Sequence, residues 1–206
     1  MDALLASRLV VFVKAARPGF VKTRLARTLG DEAACVVYRE LVAAVLGNIT
    51  VIPSVELRFS PDDAMDVVES WAQPGWTMQP QGAGNLGERM HRAFIDHFEN
   101  GAERVVIIGS DSPEISTTDI SDAWDALVRR DVVLGPALDG GYWLIGLRRH
   151  RFELFDGISW STESVLRETL ARVDQMKLTF HLLRQLSDVD TQADVRAWRR
   201  RQAEER

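Results

Sequence analysis

The chain has 206 residues, and its 25 Lys and Arg against 30 Asp and Glu give a formal net charge of −5. The first 30 residues carry six basic side chains and one acidic one, whereas the rest of the chain carries 19 bases and 29 acids. A nucleic-acid-binding protein needs a broad basic surface, so this distribution argues against that class and leaves room for one localised anion site.

Short apolar runs alternate with amphipathic segments along the chain, which predicts strands alternating with helices. Strands are expected at residues 9–13, 55–59, 76–79, 105–108, 132–134, 141–147 and 177–183. Helices are expected at residues 31–46, 60–71, 86–98, 117–128, 161–173 and 191–201. Ser116, with Asp119 three residues later, is typical of a helix N-terminus.

This order of elements predicts one α/β domain over residues 1–206, with a mainly parallel mixed sheet between two layers of helices. The segments 132–136 and 141–147 are too close in sequence for a crossover helix, so we expect an antiparallel strand, a hairpin or a bend there. Ligands of such sheets bind beyond the carboxyl ends of the strands. The loops after Val13, Ile108 and Pro136 are therefore the places to look for a site.

The composition is typical of a folded soluble protein, and we expect the protein to be cytoplasmic. Hydrophobic residues make up 46% of the chain, and no apolar run reaches the roughly 18 residues that a membrane helix needs. The first residues are apolar but include Asp2 and no basic start, so we expect no signal peptide. Cys35 is the only cysteine, which excludes an intrachain disulfide and favours a place in the core. We expect neither a membrane nor a nucleic acid as partner.

The loop after the first predicted strand is rich in cations. It contains a Pro-Gly turn, a hydroxyl and four basic side chains: Lys14, Arg17, Pro18, Gly19, Lys22, Thr23 and Arg24. Phosphate sites combine backbone donors, hydroxyls and cations at the end of a strand, so the loop is a candidate for binding a phosphate or diphosphate. A solvated basic turn without a ligand is the alternative. A Walker A motif is excluded because Ala16 and Val21 stand where it needs glycines.

Acidic residues follow three other predicted strands. Asp111 follows the strand at 105–108 and is a candidate ligand for Mg²⁺, although it could instead cap the turn before the next helix. Asp139 precedes Gly140, Gly141 and Tyr142, a pattern that suits close approach of a ligand and also suits an ordinary hairpin turn. Near the end of the chain lie Asp188 and Asp190.

A cation site built from Asp111 and one of the two late aspartates would explain both acidic clusters, and we assign Asp190 to it. The alternative is that Asp190 or Thr191 caps the last helix. The four histidines show no metal-binding spacing. Trp160, in I-S-W-S-T-E-S, is a candidate for the lining of the cleft.

Residues 82–87, G-A-G-N-L-G, match the dinucleotide-binding pattern G-x-G-x-x-G literally. That pattern requires a strong strand immediately before it, and the preceding W-T-M-Q-P-Q contains a proline and few apolar residues. We therefore interpret these glycines as a flexible loop leading into the helix at 86–98.

Six segments together resemble one family. They are K-A-A-R-P-G-F-V-K-T-R-L (14–25), Q-G-A-G-N-L-G-E-R-M (81–90), G-S-D-S-P (109–113), G-P-A-L-D-G-G-Y-W-L-I-G-L (135–147), W-S-T (160–162) and D-V-D-T (188–191). In this order they resemble the GT-A-type selenodomain-associated transferase family, a glycosyltransferase-like family of the nucleotide-diphospho-sugar transferase superfamily. The resemblance runs from about residue 10 to residue 195, with Ala16 standing where the family commonly has proline.

The resemblance implies a GT-A fold that binds a nucleotide together with a divalent cation, Mg or Mn. By position, Lys14, Lys22 and Arg24 would contact phosphates. Asp111 would stand at the metal-binding aspartate of the superfamily, although G-S-D-S-P lacks the second acid of a D-x-D motif. Asp139 with the following Gly140, Gly141 and Tyr142 would face the donor or the acceptor.

We therefore expect a transferase that uses a nucleotide or NDP-sugar donor and a small-molecule acceptor. Lys22, Arg24 and Asp139 are the expected catalytic residues, and Lys14, Gly19, Thr23, Gly140, Gly141 and Tyr142 the expected nucleotide-binding residues. No protein nucleophile is evident, so direct displacement by the acceptor is the simplest mechanism. The alternatives are a guanylyltransferase-like nucleotidyltransferase acting on a small phosphorylated acceptor, and a nucleotide-binding protein without turnover. The sequence predicts neither the base nor the oligomeric state.

Overall fold

The computed structural model describes residues 7–204. The expectation of no signal peptide depends on residues 1–6, which lie outside the described residues. The described part forms one seven-stranded sheet, with the strand order β3-β2-β1-β4-β6-β5-β7. The strands are β1 (Ser7–Lys14), β2 (Val55–Ser60), β3 (Thr77–Pro80), β4 (Arg104–Ile108), β5 (Val132–Pro136), β6 (Tyr142–Leu147) and β7 (Phe180–Leu182).

Strand β6 runs against the direction of the others. It is antiparallel to β4 on one side and to β5 on the other, whereas every other strand pair is parallel. Residues 132–147 thus form the hairpin that was one of the predicted alternatives, with an irregularity in register at Gly135 and Pro136. Because β6 is reversed, it begins at the sheet edge where β1, β4 and β5 end.

Helices cover the sheet and connect its strands. They are α1 (Thr23–Leu29), α2 (Asp31–Asn48), α3 (Met65–Val68), α4 (Leu86–Glu99), α5 (Thr117–Leu127), α6 (Val165–Gln175) and α7 (Gln192–Glu204), with short 3-10 turns at Glu69–Trp71 and Phe152–Phe155. None of the described helices is long and apolar enough to span a bilayer.

The structure corrects the predicted helix boundaries in two places that matter for the site. The predicted helix at 161–173 begins only at Val165, because Ser161 has a left-handed backbone with φ of 66° and the residues after it form a loop. The basic loop was predicted over residues 14–25, but its last three residues belong to helix α1, which was not among the predicted helices.

The core lies on both faces of the sheet, as expected for a three-layer fold. Successive residues of β1 point to opposite faces: Val11 packs in a cluster with Val42 of α2, whereas Val10 packs in a second cluster with Phe94 of α4. Cys35 is buried in the first cluster, as predicted. Helices cover both faces of the sheet and leave the carboxyl ends of its strands open. The candidate site lies at these strand ends.

Candidate functional site

A cavity of about 830 Å³ lies at the carboxyl edge of the sheet, beyond the ends of β1, β4 and β5 and the beginning of β6. Nine of the eleven predicted site residues line it: Lys14, Lys22, Thr23, Arg24, Asp111, Asp139, Gly141, Tyr142 and Asp190. The structure therefore brings residues from four separate segments of the chain to one place. Another cavity, of about 470 Å³ between α5 and β7, contains none of the predicted site residues.

Lys22 is at the centre of the cationic part of this cavity. Its Nζ atom lies 2.6 Å from Oδ1 of Asp111 and 2.9 Å from Oδ1 of Asp190, and only 3% of its side chain is exposed. Burial alone would lower the pKa of Lys22, but the two carboxylates outweigh it and raise the pKa above the ordinary lysine value. Lys22 is therefore a fixed, charged group held between two acids.

Backbone geometry places Lys22 in this position. Its φ of 48° and ψ of 47° are left-handed, a conformation that is uncommon for a residue with a side chain, and it immediately precedes α1. Local strain of this kind persists only where surrounding contacts fix it. Here the contacts are the two ion pairs, so the turn before α1 and the acidic loops stabilise one another.

The carboxylates of Asp111 and Asp190 remain available to Lys22 because other residues cap the neighbouring helices. Ser116 and Asp119 form a capping box at the start of α5, which confirms the predicted helix start and leaves Asp111 out of it. At the start of α7, the Thr191 hydroxyl accepts a hydrogen bond from the Asp194 amide. A backbone hydrogen bond of 3.0 Å from Val189 to the Asp111 carbonyl joins the two acidic loops.

The remaining residues of the basic loop are more accessible. Arg24 is 71% exposed, and its guanidinium is 3.6 Å from an Asp190 oxygen, a loose contact. Lys14 is also exposed, and its backbone N–H donates a 2.8 Å hydrogen bond to the buried Tyr38 hydroxyl. Gly19 lies outside the cavity lining, in a turn with φ of 81° that faces Asp31.

Asp139 lies within the hairpin turn between β5 and β6 and also lines the cavity, so it combines the two predicted possibilities, a turn and a cavity wall. Its Oδ1 atom accepts a 2.9 Å hydrogen bond from the Gly141 amide. Gly140 does not line the cavity; it has a φ of 90°, and its carbonyl accepts a hydrogen bond from Leu166. The Tyr142 phenol oxygen is buried, so its hydroxyl cannot contact a ligand in the cavity. Burial also raises the pKa of this phenol.

Asp188 also lines the cavity, in addition to the two aspartates that contact Lys22. Its carboxylate accepts a hydrogen bond from the Ser112 hydroxyl. Burial, and then the charges of Asp111 and Asp139, raise its pKa to about 6. The sequence motif D-V-D-T pointed to this region, but the pattern could not rank its two aspartates.

The loop 159–164 supplies lining residues that sequence analysis did not assign to the site, including Thr162 and Glu163. Trp160 of the same loop does line the cavity, as considered from the sequence. A helix was predicted from residue 161 onward, and nothing in the sequence around Glu163 indicates contact with a ligand. Only the fold shows that this loop faces the basic segment across the sheet edge.

The glycine-rich segment 82–87 is a loop leading into α4, as predicted. Asn85 caps α4, and Glu88 completes the capping box. The Arg89 guanidinium donates a 3.0 Å hydrogen bond to the Gly84 carbonyl, which holds the loop against its own helix. These contacts give the glycines a structural explanation that needs no dinucleotide.

Asp111 and Asp190 fit the predicted divalent-cation site in the chemistry of their donor atoms. Their oxygens converge on one point, because both contact the same Lys22 nitrogen. Mg²⁺ in nucleotide sites uses one or two carboxylates together with phosphates and water. No three or more His, Cys, Asp or Glu side chains within residues 7–204 form a complete ligand set. A cation here would take its other ligands from substrate and water, and would compete with Lys22 for the same oxygens.

Comparison with known proteins agrees with this architecture. A family model described as "Uncharacterized protein conserved in bacteria (DUF2064)" matches residues 47–162. A crystal structure of a "putative nucleotide-diphospho-sugar transferase" from Desulfovibrio desulfuricans G20 is 34% identical and covers 90% of this chain and 83% of that chain, with a TM-score of 0.85. The search of curated proteins gives no match.

More distant structures share the fold. A 4-diphosphocytidyl-2C-methyl-D-erythritol synthase from Anaerococcus prevotii DSM 20548 is 11% identical, with a TM-score of 0.62 over 95% of this chain and 99% of that chain. Rv0371c from Mycobacterium tuberculosis H37Rv, in complex with manganese, is 16% identical, with a TM-score of 0.53 over 93% and 96%. The predicted nucleotide-diphospho-sugar transferase fold is thereby confirmed, and the chain belongs to the bacterial protein family DUF2064.

Proposed function

We propose that the protein is a transferase that uses a nucleotide-activated donor, with Mg²⁺ or Mn²⁺, and transfers to a small-molecule acceptor. The observation that carries this proposal is the convergence of Lys22, Asp111 and Asp190 at the carboxyl edge of the sheet. These residues lie in a cavity that Lys14 and Arg24 also line. A site with both a fixed cation and paired carboxylates suits a phosphate group that arrives with a metal ion.

The comparisons support the same class of reaction. The relative from Desulfovibrio desulfuricans G20, which is 34% identical to this chain, is described as a "putative nucleotide-diphospho-sugar transferase". Among the more distant structures that share the fold, one is a synthase of a diphosphocytidyl compound and another holds manganese. We extend the enzyme class and the divalent cation to this chain as part of the proposal, together with a location in the cytoplasm.

The residues of the cavity have different roles in such a reaction. Lys14 and Arg24, which are exposed, bind and orient the phosphates of the nucleotide. Lys22 is held rigid and charged, so it stabilises the negative charge that develops on the phosphate being released. Thr23 adds a hydroxyl donor at the start of α1.

A divalent cation at Asp111 and Asp190 would neutralise these carboxylates and polarise the phosphate oxygens. Asp139, on the opposite wall, orients the acceptor and accepts its proton. Gly19 and Gly140 act indirectly, by shaping the two turns that carry the binding residues. The acceptor then displaces the leaving group directly, without a covalent intermediate on the protein.

Two forms of this chemistry use the same residues. In glycosyl transfer the released group is a nucleoside diphosphate, and in nucleotidyl transfer it is pyrophosphate. The nucleotidyl alternative is favoured by one observation, the likeness of the fold to the diphosphocytidyl synthase. The alternative of another class, nucleotide binding without turnover, is favoured by the ion pairs that already neutralise Lys22.

Thermal-shift measurements with a panel of nucleoside triphosphates and NDP-sugars, with and without Mn²⁺, test the proposal. We expect at least one nucleotide to raise the melting temperature, and Mn²⁺ to enlarge the increase. Assays for released pyrophosphate and released nucleoside diphosphate then separate the two transfer reactions. Absence of a shift with every nucleotide would refute the proposal, and binding without product release would favour the non-catalytic alternative.

A further inference from the structure

The cavity has two parts that differ in charge. The part beside β1 and β4 holds three cations from one segment of the chain, Lys14, Lys22 and Arg24, together with the carboxyl groups of Asp111, Asp188 and Asp190. The part beside the β5–β6 turn and the loop 159–164 contains Asp139, Glu163 and Trp160, and none of its described lining residues is Lys, Arg or His. We call this second part the acidic half. Phosphates have cations to bind only in the first part.

The two carboxylates of the acidic half have no cationic partner. Neither Asp139 nor Glu163 takes part in any of the ion pairs found in residues 7–204. Asp139 uses one oxygen to accept the Gly141 amide within its turn. Both side chains therefore keep oxygens that can accept hydrogen bonds from a ligand, and none of the described lining residues of the acidic half carries a positive charge.

The acidic half is also held in a fixed shape. The Gly140 carbonyl accepts a 2.9 Å hydrogen bond from Leu166, which ties the β5–β6 turn to the start of α6. A Cβ atom on Gly140 would overlap the Glu163 carbonyl, so the turn and the loop are in close backbone contact. Asp139 and Glu163 are thus positioned on two segments that cannot separate without breaking this packing.

Trp160 gives the acidic half an aromatic wall. Its ring lies directly against Gly87 at the start of α4, where a Cβ atom would come within 2.5 Å of it. It also lies 6.3 Å from Phe155, measured between ring centroids. A side chain packed against both residues keeps its position, so the part of Trp160 that lines the cavity is a preformed contact surface.

We infer that the acidic half binds a neutral polyhydroxyl group, the sugar or polyol part of a substrate, and excludes an anionic group in that place. Carboxylates accept hydrogen bonds from hydroxyl groups, and an aromatic ring packs against the C–H face of a sugar. A carboxylate or second phosphate of the ligand in the acidic half would be repelled by the negative charges of Asp139 and Glu163. This inference rests on the proposed function, because it takes the phosphates to lie in the cationic part.

A matched pair of nucleotide sugars tests the inference. The nucleoside diphosphate that binds most tightly is compared with its two sugar conjugates, the nucleoside diphosphoglucose and the nucleoside diphosphoglucuronate. These conjugates differ only at C6 of the sugar, which is a hydroxymethyl group in the first and a carboxylate in the second. Calorimetric titration with Mn²⁺ gives the three dissociation constants. We expect the wild-type protein to bind the diphosphoglucose at least tenfold more tightly than the diphosphoglucuronate. Equal affinities, or a preference for the glucuronate, would overturn the inference.

Charge reversal at Glu163 gives an independent measurement. Glu163 is exposed, so the Glu163→Lys variant should fold normally. It should bind the diphosphoglucose and the diphosphoglucuronate with about equal affinity, or should prefer the glucuronate. Glu99→Lys makes the same change at an exposed glutamate at the far end of α4, outside the cavity, and should leave the preference unchanged. An unchanged preference in Glu163→Lys would also overturn the inference. Failure of every nucleoside diphosphate to bind would be a failure of the proposed function, which the titration with the free diphosphate reveals separately.

Discussion

The Lys22 ammonium lies 2.6 Å from a carboxylate oxygen of Asp111, and this contact joins the loop after β1 to the loop after β4. The same ammonium contacts Asp190, which is 168 residues further along the chain. One nearly buried cation therefore holds together three segments at the carboxyl edge of the sheet. Its loss should be felt both in stability and in ligand binding.

Replacement of Lys22 tests this double role. Lys22→Met leaves Asp111 and Asp190 close together without a cation, and we expect the free energy of unfolding to fall by about 2 kcal/mol at pH 7, because a broken internal ion pair is costly. We also expect nucleotide affinity to fall at least tenfold. Urea denaturation and calorimetric titration measure the two effects.

Lys14→Met is the matched control for Lys22→Met. It removes the same charge from an exposed position in the same cavity. We expect it to weaken nucleotide binding while changing the unfolding free energy by less than about 0.5 kcal/mol. Equal losses of stability in the two variants would contradict the structural role of Lys22.

Asp188 predicts a specific pH dependence of stability. Its pKa is raised to about 6 in the folded protein, whereas in the unfolded chain it is about 4. Between these values the folded state binds more protons than the unfolded state, so the contribution of Asp188 to stability is full below about pH 4 and is lost as the pH rises through about 6. Asp188→Asn removes this titration and keeps an oxygen that can accept from Ser112.

Urea denaturation of the wild type and of Asp188→Asn at several pH values from 4 to 7 measures the effect. Between these limits the variant should gain about 2 kcal/mol of stability relative to the wild type. Because the other titrating groups are common to both proteins, the difference isolates Asp188. A constant difference across this range would show that the Asp188 pKa is not raised.

The proposed cation site can be tested at Asp111. Asp111→Asn removes one of the two carboxylates that converge on Lys22, so we expect the enhancement of nucleotide binding by Mn²⁺ to fall at least tenfold. Asp122→Asn, on the exposed surface of α5, makes the same change outside the cavity and should leave the enhancement intact. Titrations with and without Mn²⁺ provide the comparison, and an unaltered metal effect in Asp111→Asn would remove Asp111 from the site.

Substitution of two glycines with positive φ distinguishes the energetic effect of backbone strain from that of steric overlap. Gly101→Ala, at φ of 84° with open space around it, should cost about 1 kcal/mol of unfolding free energy. Gly140→Ala, at φ of 90°, should cost about 2 kcal/mol more, because the new methyl group overlaps the Glu163 carbonyl. Thermal and urea unfolding measure both, and similar losses in the two variants would show that the β5–β6 turn can move away from the loop.

The sequence predicted those parts of the molecule that depend on local pattern. The apolar run before Asp111 identified β4, and the sheet edge that carries Asp111 followed from the general behaviour of parallel strands. The ion pairing of Lys22 could not be predicted, because its partners are 89 and 168 residues away in the sequence. The loop containing Glu163 was predicted as part of the helix over residues 161–173, because nothing in the sequence indicates that Ser161 has a left-handed backbone.

The reversed direction of β6 has a consequence for how this fold can change its substrate. A parallel strand reaches the binding edge only once, and the next strand must be reached through a long crossover. The hairpin instead arrives at the edge and leaves it within the few residues from Pro136 to Tyr142. Substitutions, or a change of length in this single turn, therefore alter the floor of the cavity while every crossover helix keeps its place. Substrate preference in this architecture can diverge by local change, at little cost to the folded domain.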